Sequence, residues 1–258
     1  MVKTVIREWL FRMWYRYVHS LDKNAEVLFM NYGYSNPNVT FNIHPDFEQN
    51  RYSAQLYHLL ASDVDLRERD ILEIGSGRGG GLYYVTRTFS PRMAMGVDLT
   101  RASTDFCNRH YRQDGLVFMQ GDAQNLSFLN DNSFDVILNV ESSHRYPRMQ
   151  AFLKEAYRLL RSKGFLLYTD FRYGRKYPEL KKQLAVSGLK MLKEEVITDY
   201  VVQALMEDDN RKRMLVKKLA PFGFRQLALQ FAATIGTGTF NKFKSGKFGY
   251  YRFLMQKA

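Results

Sequence analysis

The chain holds one cysteine, Cys107, in 258 residues. A single thiol excludes an internal disulfide and a cysteine-rich metal site, and it fits a reducing compartment. Cys107 falls in an expected helix, where packing is its ordinary role. No apolar run approaches the length of a membrane span. Arg7, Glu8, Arg12 and Arg16 break up the start of the chain, so a secretory signal is not expected and a cytoplasmic location is. No low-complexity stretch or internal repeat occurs. Acids are the minority charge, 26 against 38 lysines and arginines, for a net charge of +12. That excess fits either an anionic partner or a solvated basic surface.

What is present is ordinary for a folded enzyme, with 45% hydrophobic and 25% charged residues. The chain is long enough for one large domain or one domain with a cap. Residues 2–21 place Ile6, Leu10, Met13, Trp14, Tyr17 and Leu21 at helical spacing, with Arg7, Arg12 and Arg16 off that stripe. This predicts a helix packed over its own domain. A basic, aromatic-rich helix also suits peripheral contact with an anionic membrane. An aromatic loop, Tyr32-Gly33-Tyr34, precedes an expected helix from Pro45 to Leu60.

The most informative stretch is Ile71-Leu72-Glu73-Ile74-Gly75-Ser76-Gly77-Arg78-Gly79-Gly80-Gly81. It reads as a buried strand, a glycine turn and a helix. Glycines allow positive φ and leave no Cβ between main chain and ligand. A second strand ends in Asp98, placed to accept from both ribose hydroxyls of a nucleotide cofactor. A third ends in Gly121-Asp122-Ala123, with Asp122 placed to accept from an adenine amine. A fourth, Phe134 to Glu141, follows. Expected strands lie near 70–74, 93–98, 116–119, 134–140 and 164–171, with helices near 79–89, 101–113 and 147–161. This alternation predicts an α/β fold, Rossmann-like and mostly parallel.

This ordered series resembles the class I S-adenosylmethionine-dependent methyltransferases. The resemblance implies S-adenosylmethionine as cofactor and a seven-stranded sheet with an antiparallel last strand. It implies a cofactor cradle of Tyr52, Glu73, Gly75, Ser76, Gly77, Asp98, Leu99, Gly121, Asp122, Ala123 and Asn139. Asn139-Val140-Glu141-Ser142-Ser143-His144, with Tyr146-Pro147, looks like the mycobacterial phthiotriolone and phenolphthiotriolone dimycocerosate O-methyltransferases. The likeness extends through Val27 to Tyr34, Asn50-Arg51-Tyr52 and Leu56-Tyr57-His58. It is similar also to sugar O-methyltransferases, in which a histidine and a strand-five aspartate form the base pair, matching His144 and Asp170. Glu141 is a third candidate catalytic residue, to hold substrate or the cofactor's ammonium. Where the lipid enzymes commonly carry a cysteine after the histidine, this chain has Arg145, a loop residue able to face solvent or an anionic head group.

The expected organisation is an N-terminal helical lid over 1–65 and a core over 66–258. A small helical cap is expected at about 173–209, then a helix near 209–220. Phe224–Ile235 and Phe248–Gln256 are expected as the last two strands, joined through a Gly236-Thr237-Gly238 turn and a Lys-rich loop at 242–247. The acceptor is expected to be a hydroxyl on a lipid, polyketide or other apolar small molecule, with nucleic acid disfavoured and no metal. Carbon or nitrogen methylation, and a non-catalytic or cyclase member of the fold, are the alternatives. No Asn/Asp-Pro-Pro-Tyr follows strand four, and no cysteine lies near the site, which disfavours adenine amino-group and cysteine-based pyrimidine methylation.

Overall fold

A computed structural model describes Asp22 and residues 25–258. The expected helix over 2–21 lies outside the described residues. Seven strands form one sheet in the order β3-β2-β1-β4-β5-β7-β6. They are β1 (Asp70–Ile74), β2 (Met93–Asp98), β3 (Leu116–Gln120), β4 (Phe134–Val140), β5 (Leu160–Tyr173), β6 (Leu189–Val196) and β7 (Phe248–Lys257). β3, β2, β1, β4 and β5 pair in parallel, and β7 runs antiparallel to both neighbours.

Period-two alternation sends the two faces of the central strands into separate cores. Ile71, Val136 and Leu138 pack on one face. Leu72, Ile74 and Ile137 pack on the other. Strands buried on both faces need near-continuous apolar runs, which is why β1 and β4 stood out in the sequence. Helices α1 (Arg51–Ala61), α2 (Gly80–Phe89) and α3 (Arg101–His110) contribute Leu56, Leu82 and Cys107 to the first core. Helices α4 (Met149–Leu159) and α5 (Tyr177–Ala185) contribute Phe152, Leu153, Leu180 and Leu184 to the second.

The carboxyl-terminal third departs from expectation. Residues 173–209 are not a helical cap, because β6 lies inside them at the sheet edge. Phe224–Ile235 is not a strand: a 3-10 turn at Phe222–Phe224 leads into α8 (Arg225–Phe231). The helical insertion instead joins β6 to β7, through α6 (Thr198–Glu207), α7 (Asp209–Leu219), α8 and α9 (Gly238–Lys244). Thr237, expected in a hairpin turn, caps α9 by accepting from the Phe240 amide. The misreading has a physical source. β6 reads Leu-Lys-Met-Leu-Lys-Glu-Glu-Val, rich in good helix formers. Such charged sequences are tolerated on an edge strand, and pairing with β7 overrides propensity.

Candidate functional site

β1 lies between β2 and β4, where the order of strands reverses, and ligands of open α/β sheets bind beyond the carboxyl ends at such a point. Gly75, Gly77 and Gly79 all have positive φ there. A Cβ on Gly75 would press on Ser142 Oγ and stand 2.9 Å from Tyr146 Oη. One on Gly81 would fall inside the Tyr57 ring. These two glycines therefore let the β4 loop and α1 close over the turn.

Glu73 is fully buried at 0% exposure, and its Oε1 accepts from Tyr57 Oη at 2.6 Å. Among the described residues its Oε2 has no partner, and neither have the buried Ser76 Oγ and Asn139 Oδ1. Burial pushes the Glu73 carboxyl up to about 8. Asn139 spends its amide nitrogen on Ile74 O and Ser142 Oγ, both at 2.8 Å, so it ties β4 to the end of β1. Asp98 receives the Gly77 amide at 3.0 Å and the Thr100 amide at 2.9 Å, bracing the turn against β2. Leu99 beside it is exposed. Gly121, Asp122 and Ala123 follow β3, where Asp122 Oδ1 closes a turn on the Gln124 amide at 2.9 Å. Tyr52 sits at the start of α1, and its carbonyl accepts from the Tyr34 amide at 2.9 Å. The predicted cradle residues thus gather along the ends of β1, β2, β3 and β4, apart from Tyr52, which stands on α1 and is tied to the aromatic loop.

Partnerless buried acceptors are costly unless something else satisfies them. A carboxylate oxygen, a hydroxyl and an amide oxygen, beside glycines that admit close approach, fit a ligand carrying an ammonium group and ribose hydroxyls. S-Adenosylmethionine has both.

His144 and Asp170 meet as the sequence implied. Imidazole Nδ1 lies 2.8 Å from Asp170 Oδ1, and the His144 amide donates to Oδ2 at 2.8 Å. Nδ1 therefore carries the proton and Nε2 keeps a lone pair. That lone pair accepts from Arg145 Nε at 3.2 Å. Arg145, expected to face solvent or an anion, is exposed and touches the candidate base. Burial lowers the imidazole below its ordinary value, against the pull of Asp170. Burial would raise the Asp170 carboxyl, but Arg172 and His144 outweigh it and hold that carboxyl well below its usual range.

The sequence reading missed the group that keeps Asp170 charged. Arg172 Nη1 lies 3.0 Å from Asp170 Oδ2. Ser143 Oγ donates to the same oxygen at 2.7 Å and so must accept from Arg172 Nη2 and Tyr168 Oη, each at 2.8 Å. Arg172 stands two residues after Asp170, hence on the same face of β5. That spacing was the available signal. Tyr57 was missed because only the fold brings α1 beside β1.

Glu141, expected among the reacting groups, is engaged by protein. Its φ is +46°, and its Oε1 accepts from the Tyr32 amide and Tyr250 Oη, both at 2.6 Å. Lys212 Nζ donates to the Tyr32 carbonyl at 3.3 Å. The Tyr32 peptide is held at both ends. Burial moves the Glu141 carboxyl up to about 8 and the Lys212 ammonium down to about 8. Above His144 stands an aromatic wall. Phe171 is 4.4 Å from the imidazole, and Tyr32, Phe243, Phe248 and Tyr250 surround Phe171 at 5.3 to 6.4 Å. Among the described residues no group of three or more histidine, cysteine or carboxylate side chains could hold a metal.

Comparison with known proteins identifies the family. Residues 72–168 match the family described as a methyltransferase domain. A fatty-acid O-methyltransferase of Mycolicibacterium smegmatis is 42% identical over 208 residues, covering 80% of this chain and 76% of that protein. A phthiotriol/phenolphthiotriol dimycocerosates methyltransferase of Mycobacterium tuberculosis is 34% identical over 249 residues, covering 96% of this chain and 92% of that protein. Among solved structures, the cyclase SpnF superposes with a TM-score of 0.70 at 17% identity, over 95% of this chain and 94% of that one. At that identity the likeness concerns architecture alone. On the sequence relatives, whose matches span most of both partners, this chain belongs to the S-adenosylmethionine-dependent methyltransferases.

Proposed function

We propose that this enzyme methylates an oxygen of a long apolar acceptor, a lipid or polyketide, with His144 as base and Asp170 as the group that orients it. The observation that carries the reading is the 2.8 Å contact between His144 Nδ1 and Asp170 Oδ1, which leaves Nε2 as the proton acceptor. S-Adenosylmethionine, when bound, supplies a methyl group on a positively charged sulfur. The chain has to hold it, align the acceptor in line and exclude water. We assign the cofactor's ammonium to Glu73 Oε2, its ribose to Asp98 and its adenine to the stretch from Gly121 to Ala123, flanked by Leu99. Asn139, Ser76, Gly75 and Gly77 shape the turn, and Tyr52 closes over the cofactor together with the aromatic loop.

The acceptor hydroxyl displaces Arg145 from Nε2, gives its proton to that nitrogen, and gains the methyl on oxygen. The buried Asp170 carboxylate stabilises the imidazolium that forms. Glu141 acts at one remove, by fixing Tyr32 and Tyr250 in the aromatic wall. That wall and the names of the relatives support an apolar acceptor rather than nucleic acid.

Arg145 favours a second reading, a carboxylate acceptor. A carboxylate needs no base, and the guanidinium beside His144 Nε2 suits it. The two separate in one experiment: labelled methyl is followed from S-adenosylmethionine into fatty alcohols and fatty acids, with the native enzyme and His144→Ala. Loss for alcohols alone supports both a base and a tolerated acid acceptor. Undiminished transfer to alcohols would remove His144 from catalysis. Label only in the aqueous macromolecular fraction of a host-cell extract would remove the apolar acceptor.

A further inference from the structure

The Lys-rich stretch at 242–247 has no part in the chemistry above, yet its end lines a surface cleft. A cleft of about 230 Å³ opens between the end of β5 and the start of β7, lined by Tyr173, Gly174, Arg175, Gly246 and Lys247. From the cleft, aromatic rings lead inward. Tyr173 touches Phe248 at 4.5 Å, Phe248 touches Phe171 at 5.3 Å, and Phe171 touches His144 at 4.4 Å. Cations ring the outer pair. Lys242 Nζ lies 5.8 Å from the centre of Tyr173 and 5.2 Å from that of Phe248, and the Arg175 guanidinium lies 5.4 Å from Tyr173. Lys244 and Lys247 complete the collar, both exposed. Among the described residues, no carboxylate comes within ion-pair distance of Arg175, Lys242, Lys244 or Lys247. Their neighbour Lys176, by contrast, is paired with Glu179 at 2.7 Å.

We infer that this collar docks the enzyme on an anionic lipid bilayer. Four cations from two segments, spread around a shallow opening, match a plane of many negative charges better than one head group held in a pocket. Tyrosine and long lysine stems suit the boundary between water and acyl chains. Each basic residue near an anionic surface strengthens partitioning about five-fold, within a Debye length.

Docking can be measured without turnover. The full chain would be sedimented with vesicles of phosphatidylcholine alone and with vesicles containing about one third phosphatidylglycerol. Three proteins would be compared: native, the collar variant Arg175→Gln/Lys242→Gln/Lys244→Gln/Lys247→Gln, and a control of equal charge, Arg67→Gln/Lys154→Gln/Lys182→Gln/Lys190→Gln. The native protein and the control are expected to bind anionic vesicles only. The collar variant should bind at least about ten-fold more weakly. Thermal melting and cofactor binding report folding, and the lighter Lys244→Gln/Lys247→Gln serves if the fourfold variant melts early. Native protein that ignores anionic vesicles overturns the inference. So does equal loss in collar and control variants, or a collar variant that binds as native. None of these outcomes touches methyl transfer, so docking and the apolar-acceptor reading fail separately.

Discussion

Two acids of one five-residue strand show what separates the ends of this sheet. Asp70 opens β1 and Glu73 nearly closes it, and both are buried, at 5% and 0% exposure. Asp70 is saturated: Arg92 Nε and Arg161 Nη2 each donate at 2.8 Å, Arg92 Nη2 adds a further bond, and Arg161 passes on to Asp135 at 2.7 Å. Those partners, Arg92 foremost, hold the Asp70 carboxyl below its usual range. Glu73 has one tyrosine and an unused oxygen, and burial drives it the other way. The amino end of the sheet is built to be complete by itself. At the carboxyl end Glu73 Oε2, Ser76 Oγ and Asn139 Oδ1 have no partner among the described residues, and ligands of such sheets bind at that end.

The largest break in that comparison should come from the chemistry. His144→Ala is expected to lower transfer to an alcohol about 100- to 10,000-fold while cofactor binding, followed by calorimetry, stays as native. Because burial lowers the His144 pKa, the native rate should be flat above neutrality and fall only below the ordinary imidazole range. A rate still climbing above neutral pH would contradict a neutral, buried base.

Next in size is the amino end, where damage should reach stability and not turnover. Asp70→Asn leaves Arg92 and Arg161 without their anion and should cost about 1–3 kcal/mol in denaturant unfolding. A group with a depressed folded pKa contributes stability above its unfolded value and loses it as pH falls through the folded one. The gap between native and Asp70→Asn should therefore shrink in acid.

Glu73→Gln should have the opposite pH signature. The folded carboxyl titrates near 8, above its unfolded value, so the native ligand-free protein loses stability as pH rises between the two. The variant should not lose it. Melting scans across that window would show the curves diverging toward alkali, and cofactor affinity should fall about ten-fold. A variant that binds the cofactor as native would mean that Glu73 Oε2 serves another purpose. Smallest of all, Arg69→Ala, whose Nη1 lies 3.9 Å from Asp135 at a half-exposed site, should shift stability by less than about 1 kcal/mol.

Much of the site was legible because the chemistry sits at strand ends, and strand ends are marked in sequence by apolar runs stopping at glycine or acid. Glu73, Asp98 and Asp122 were singled out that way, while the partnership of His144 with Asp170 came from the family resemblance. Glu141 carried the same mark, yet the fold applies it to the Tyr32 amide and Tyr250, which lie 109 residues away in opposite directions along the chain. Nothing local announces such a contact. β6 failed for a related reason: its residues favour helix, and its pairing partner β7 lies beyond four intervening helices.

The sequence by itself determined the central α/β alternation, the glycine turn and the acids that follow it, since burial on both faces and positive φ restrict which residues can stand there. Tertiary structure alone decided which charges are satisfied. Arg161 against Asp70, Tyr57 against Glu73 and the collar around Tyr173, which no carboxylate of the described residues pairs, depend on distances across elements remote in sequence. The energy of a buried or partly buried charge is set by those distances and by the water they exclude, neither of which is written in the order of residues.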